Sequence, residues 1–125
     1  MALRFVGASA LIARDSQVLT SASCAHGPRF VHISTCAFMS KDRCAIEGQG
    51  SMEVLIERSL LSGGYAALSG PSAGVIDGVV LESAGHAALR VGKGLHLCRE
   101  HVRIADETGE LWLKGNAIEC TFGQR

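Results

Sequence analysis

The stretch Ala87-Ala88-Leu89-Arg90-Val91-Gly92-Lys93-Gly94-Leu95-His96-Leu97 decides the class of fold. Ala87, Leu89, Val91, Leu95 and Leu97 fall on one side of an extended chain. Ala88, Arg90, Gly92, Gly94 and His96 fall on the other. A period of two is the mark of a half-buried strand, because successive side chains point to opposite faces. Only Lys93 breaks the pattern, where Gly92-Lys93-Gly94 supplies a turn or bulge. Downstream, Val102 and Ile104 precede Asp106-Glu107-Thr108-Gly109, and Leu111 and Leu113 follow, which predicts a hairpin. Ile118, Cys120 and Phe122 alternate again after Gly115-Asn116, so the chain from Val75 to Phe122 reads as five or six short strands.

Upstream the same period places Val31 and Ile33 on one face, and Met52, Val54 and Ile56 on another. Ser51 to Leu61 reads as a strand, because helical spacing would group Val54, Leu55 and Arg58 into a poor apolar stripe. Residues 16–28 are small and polar and read as a loop marked by Gly27-Pro28. Residues 39–51 read as a short strand with a turn on each side. No linker divides the chain, so residues 1–125 form one expected domain.

Fifteen glycines against two prolines imply many sharp turns, and only six aromatic side chains imply a core of Val, Leu, Ile and Ala. The glycines at 64, 70, 78, 85 and 92 recur every six to eight residues with short apolar segments between them. That rhythm suits a β-solenoid or a tight meander. The expected fold is therefore all-β, as a short-strand β-solenoid-like stack or a compact antiparallel sandwich or barrel.

Residues 64–122 resemble the C-terminal β-helices of type VI secretion and phage tail spike proteins. The likeness rests on the step from Gly70 to Gly78 and on the strand composition of Val91-Gly92, Leu95 and Leu97. It implies a mechanical role, three chains wound together, and no catalytic residue. A non-enzymatic structural or assembly module, homo-oligomeric and without a cofactor, is the function this points to.

Charge excludes other classes. Twelve basic and twelve acidic side chains give zero formal net charge, and the first 62 residues hold six basic and five acidic groups. No basic face for nucleic acid is expected, and no apolar run approaches the roughly 18 residues of a membrane-spanning helix. Met1 to Ala13 is apolar, but Arg4 interrupts it and Ala8-Ser9-Ala10 falls too early for a secretory cleavage site. Cys24, Cys36, Cys44, Cys98 and Cys120 are odd in number and irregular in spacing. A reducing, cytoplasmic setting is expected, with secretion as the alternative.

The densest reactive cluster is Leu95-His96-Leu97-Cys98-Arg99-Glu100-His101. His96 and Cys98 share a strand face, opposite Leu95 and Leu97. With His101, or with a distant Cys24/His26 pair, they offer imidazole and thiolate ligands to a divalent metal such as zinc. His101-Val102-Arg103, Glu107 and Gly115 are similar to the first metal motif of cupins. Arg103 stands where that motif has its second His, and arginine cannot ligate. The alternative to a structural module is thus a small-ligand or cupin-like metal domain centred on His96, Cys98, His101 and Glu107. Cys24 near His26, and Cys98 near His96 and His101, also pair a thiol with a base, although buried structural cysteine is commoner than a nucleophile. The loops Ser62-Gly63-Gly64 and Ser69-Gly70-Pro71-Ser72-Ala73-Gly74 lack the Lys and helix of a phosphate loop. Asp106 to Glu110 gathers three carboxylates in a turn, which is a solvated turn before it is a Ca²⁺ site. Trp112, between Leu111 and Leu113, is expected to point outward into a contact between protomers. An inverted alternation would make it a core residue instead.

Overall fold

The computed structural model describes residues 3–4, 9–48, 52–71, 73–83, 88–90, 96–100 and 103–105. Strands recur in threes. The first turn carries β1 (Leu3–Arg4), β2 (Ala10–Arg14) and β3 (Gln17–Thr20). The second carries β4 (Ala25–His26), β5 (Phe30–Ser34) and β6 (Ala37–Ser40). The third has β7 (Cys44–Glu47), β8 (Glu53–Glu57) and β9 (Leu60–Gly63), and the fourth β10 (Ala66–Ser69), β11 (Ala73–Asp77) and β12 (Val80–Ser83). Then come β13 (Leu89–Arg90), β14 (His96–Glu100) and β15 (Arg103–Ala105). Every third strand joins the same sheet. The first sheet runs β1-β4-β7-β10-β13, the second β14-β11-β8-β5-β2 and the third β15-β12-β9-β6-β3.

All strand pairs are parallel. This is a β-solenoid, and of the two expected architectures it is the stack rather than the antiparallel sandwich or barrel. The chain advances in one sense around three walls, so each strand meets its successor one turn later, running the same way. Alternation then fills the interior with aliphatic ladders. Leu11, Val31 and Val54 stack in one column and Ile33, Ile56 and Ile76 in another; Phe38, Leu61 and Leu81 line the third sheet, and Ile46, Leu68 and Leu89 the first. All twelve are buried. Burying each such side chain stabilises the fold by roughly 1.5–3 kcal/mol before chain entropy is counted.

Two readings of local sequence need correction. Residues 16–28 are not one loop: they contain β3 and β4, which pair with β6 and β7. Ser51 to Leu61 is not one strand but parts of two, β8 and β9, bent at Arg58. The glycine rhythm does mark solenoid corners. Gly64, Gly70 and Gly78 sit at three successive corners, so six to eight residues span one wall.

The true repeat is two turns long. In the second sheet the register advances 20 residues from Ala10 to Phe30, 23 to Glu53, 20 to Ala73 and 23 to His96. In the first sheet it advances 22, 21, 22 and 21 residues through Leu3, Ala25, Ile46, Leu68 and Leu89. Two turns, 20 plus 23 or 22 plus 21, always make 43 residues. One residue of the difference lies between the third and first sheets, where the step is 8 or 9 residues, and two lie at the corner between the first and second sheets. That corner is short at Gly27-Pro28 and Gly70-Pro71, and longer after Ile46 and Leu89. Gly27 and Gly70 both adopt positive φ, 83° and 89°, which a glycine tolerates without a Cβ penalty. Sequence echoes agree: Gly27-Pro28, Ile33, Ser40, Ala45 and Glu57 return as Gly70-Pro71, Ile76, Ser83, Ala88 and Glu100.

The corner between the second and third sheets never varies in length. Asp15, Thr35, Arg58 and Gly78 occupy it in successive turns, with φ of 52°, 55°, 43° and 67°. The left-handed conformation aims the N–H along the solenoid axis. Asp15 N donates to Ser34 O, Thr35 N to Glu57 O and Arg58 N to Asp77 O, at 2.9–3.1 Å. The ladder thus continues around the bend, and this overrides the preference of Thr and Arg for negative φ.

Candidate functional site

With the interior filled, the solenoid offers its outer walls. The outer face of the second sheet is a grid set by register. One column reads Ala10, Phe30, Glu53 and Ala73; the middle one reads Ile12, His32, Leu55 and Val75; the last reads Arg14, Ser34, Glu57 and Asp77. These positions alternate with the buried ladders. Large apolar side chains are left in solvent here: Ile12 is 77% exposed, Phe30 49% and Val75 38%. Charge changes sign along the last column, from Arg14 at the first turn to Glu57 and Asp77 at the third and fourth.

Two shallow clefts flank the left-handed corner beside this face. One, of about 580 Å³, is lined by Ile12, Arg14, His32, Ser34 and Glu57 among others. The second, of about 600 Å³, lies around the bend against Ser16, Cys36 and Ser59. Asp15, Thr35 and Arg58 border both. Arg58 Nη2 donates to Ser34 Oγ at 3.1 Å, tying two turns together across the corner.

A second polar cluster sits where the first sheet ends. Ser23 Oγ donates to Glu47 Oε1 at 2.8 Å, His26 Nδ1 lies 3.4 Å from the same oxygen, and Arg43 Nη2 lies 3.4 Å from Oε2. Burial alone would raise the Glu47 carboxyl. The Ser23 hydroxyl, the Arg43 guanidinium and His26 outweigh it and hold the group below the usual carboxylate range. Ser, His and a carboxylate are together, but the hydroxyl donates to the carboxylate and not to the imidazole. That wiring locks a corner; a nucleophilic triad needs the serine on the imidazole. Next to it, the Arg90 guanidinium stacks 4.2 Å from the centre of the Tyr65 ring.

Cys24, Cys36 and Cys44 are free thiols in the core. The Cys24 thiol donates to Met39 O at 3.2 Å, and burial pushes its pKa up to about 11. Burial, reinforced by Glu47, does the same to Cys44, also about 11. A nucleophile needs the opposite shift, so Cys24 beside His26 is a packing residue.

The other residues singled out from sequence stand as follows. His96 and Cys98 lie on β14, where they pair in register with Ala73 and Val75 of β11. His101, Glu107 and Trp112 lie outside the described residues, as does the hairpin around Asp106 to Gly109. Among the described residues, no three His, Cys, Asp or Glu side chains come together to hold a metal ion. No described helix is long and apolar enough to cross a membrane. The outer-face grid escaped sequence reading because its columns join residues 20 or 23 positions apart. The recurring Gly-Pro pair, 43 residues apart, was the signal for the sum of those two steps. In comparisons with known proteins, no family model, no curated protein and no solved structure matches this chain.

Proposed function

We propose that this chain is a non-enzymatic structural module that self-associates, a rigid β-solenoid used as a building part. One observation carries the reading: three of the five large apolar side chains left exposed among the described residues, Ile12, Phe30 and Val75, share one sheet face. Large apolar side chains left on one face of a neutral chain favour association over solvation. The fold suits the role. Parallel ladders on three walls resist bending, and the buried cysteines and the Glu47 cluster serve packing and corner locking. Light scattering coupled to size-exclusion chromatography, with sedimentation velocity from micromolar to millimolar protein, tests it. The expected result is a mass that rises with concentration. A monomer across the whole range refutes the proposal.

A further inference from the structure

The sign change along the outer face of the second sheet carries a more specific inference, which rests on the self-association just proposed. We infer that a second copy of this chain packs face to face on this sheet, with the two solenoids antiparallel and their strands aligned.

Of the dyad axes lying in this face, two keep the strands of both copies collinear, and the charges choose between them. An axis along the solenoid keeps the turn and exchanges the outer columns. Glu53 would then meet Glu57 twice, and Arg14 would meet Ala10. Like charges facing in a desolvated contact are unfavourable. An axis along the strands keeps the column and reverses the turns. Arg14 then faces Asp77, Ser34 faces Glu57, Ile12 faces Val75, and Ala10 faces Ala73. Each contact occurs twice, as in any isologous interface. In the middle column only Ile12 and Val75 match apolar to apolar; His32 lies against Leu55, and Phe30 meets Glu53 at the rim.

Register along the axis follows from the same reasoning. With the dyad between the second and third turns, opposite charges meet. Moving it onto the third turn would set Glu57 against Glu57. The matched part of the face is β2, β5, β8 and β11, with β14 extending the sheet beyond it; four strands at about 4.8 Å spacing and five residues at about 3.3 Å give a patch of roughly 19 by 16 Å. That is below the area of a permanent dimer, so the association is weak and reversible.

The test uses the full chain and sedimentation equilibrium. Ile12 is almost fully solvated, so Ile12→Glu leaves the fold intact, which circular dichroism verifies; its dissociation constant is expected to rise at least about tenfold. Arg14→Glu alone and Asp77→Arg alone each place like charges in both contacts and should be monomeric. Mixed together, the two variants pair opposite charges in both contacts, and the dimer should return. Cross-linking gives the orientation without charge reversal. An equimolar mixture of Ala10→Cys and Ala73→Cys should form a bismaleimide-linked dimer in which the peptide carrying residue 10 is joined to the one carrying residue 73. A dimer indifferent to Ile12→Glu and Arg14→Glu would remove this face while leaving self-association standing. Weakened single variants with neither rescue on mixing nor the 10–73 link would overturn the antiparallel arrangement. A wild-type chain that stays monomeric overturns both this inference and the proposed function.

Discussion

Thr35→Gly should stabilise the protein, although it deletes a side chain. Thr35 is a β-branched residue at φ 55°, where its Cβ crowds the backbone. A left-handed conformation costs an L-residue about 1–2 kcal/mol. Glycine removes that strain but loses about 0.5–1 kcal/mol more chain entropy on folding than alanine. Little else changes, because Thr35 is exposed and its backbone N–H still reaches Glu57 O. The net gain is about 0.5–1 kcal/mol, or about 2–4 °C in Tm for a domain of this size. Gly78 occupies the same corner one turn beyond Arg58, so Gly78→Thr is the mirror experiment. A Cβ at Gly78 would meet nothing closer than Arg58 Cγ at 3.4 Å, so its cost is almost purely conformational, about 1 kcal/mol. Urea denaturation of both variants measures the pair. A Thr35→Gly protein destabilised by more than about 0.5 kcal/mol would show that the threonine side chain anchors the corner, and the strain argument would fail.

Leu81→Ala, at a fully buried ladder position, should cost about 2–5 kcal/mol by denaturant titration, whereas Leu19→Ala on the exposed side of β3 should change stability by less than about 0.5 kcal/mol. Gly74→Ala should be among the worst single-methyl additions, because its Cβ would lie 1.8 Å from Val54 O and the two turns would have to part; a loss exceeding about 2 kcal/mol is expected in the same assay. Glu47 has a folded pKa below its unfolded value, so its contribution is present above the unfolded pKa and is lost as pH falls through the folded one. Glu47→Gln should therefore flatten the acid limb of the stability–pH curve, and an unchanged limb would remove Glu47 as its source. The Cys24 and Cys44 thiols are raised from about 9.0 to about 11, so the stability they confer is present below about pH 9 and fades toward pH 11. Iodoacetamide labelling at pH 8, mapped by peptide mass, should modify both only at the rate of unfolding; rapid labelling of the native protein would contradict their burial.

How much of this was legible in sequence depends on the range of the interaction. Period-two alternation is a property of neighbouring residues, so Val31 with Ile33, and Val54 with Ile56, disclosed their inward face before any pairing was known. Glycine spacing disclosed short walls and sharp corners, and with them a solenoid as one of two architectures. The site was far less legible. No local pattern connects Arg14 to Asp77, which share a column only through three successive register steps.

The sequence by itself determined short strands, an aliphatic interior and the absence of a charged half, because each follows from composition or from side chains within a few residues of one another. The tertiary structure decided that the strands run parallel and that the repeat spans two turns. It also decided that Thr35 and Arg58 turn left-handed and that Ser23 reaches Glu47 across 24 residues. These follow from backbone hydrogen bonds that must close between one turn and the next. Closure depends on the summed length of three corners, which no single stretch of the chain encodes.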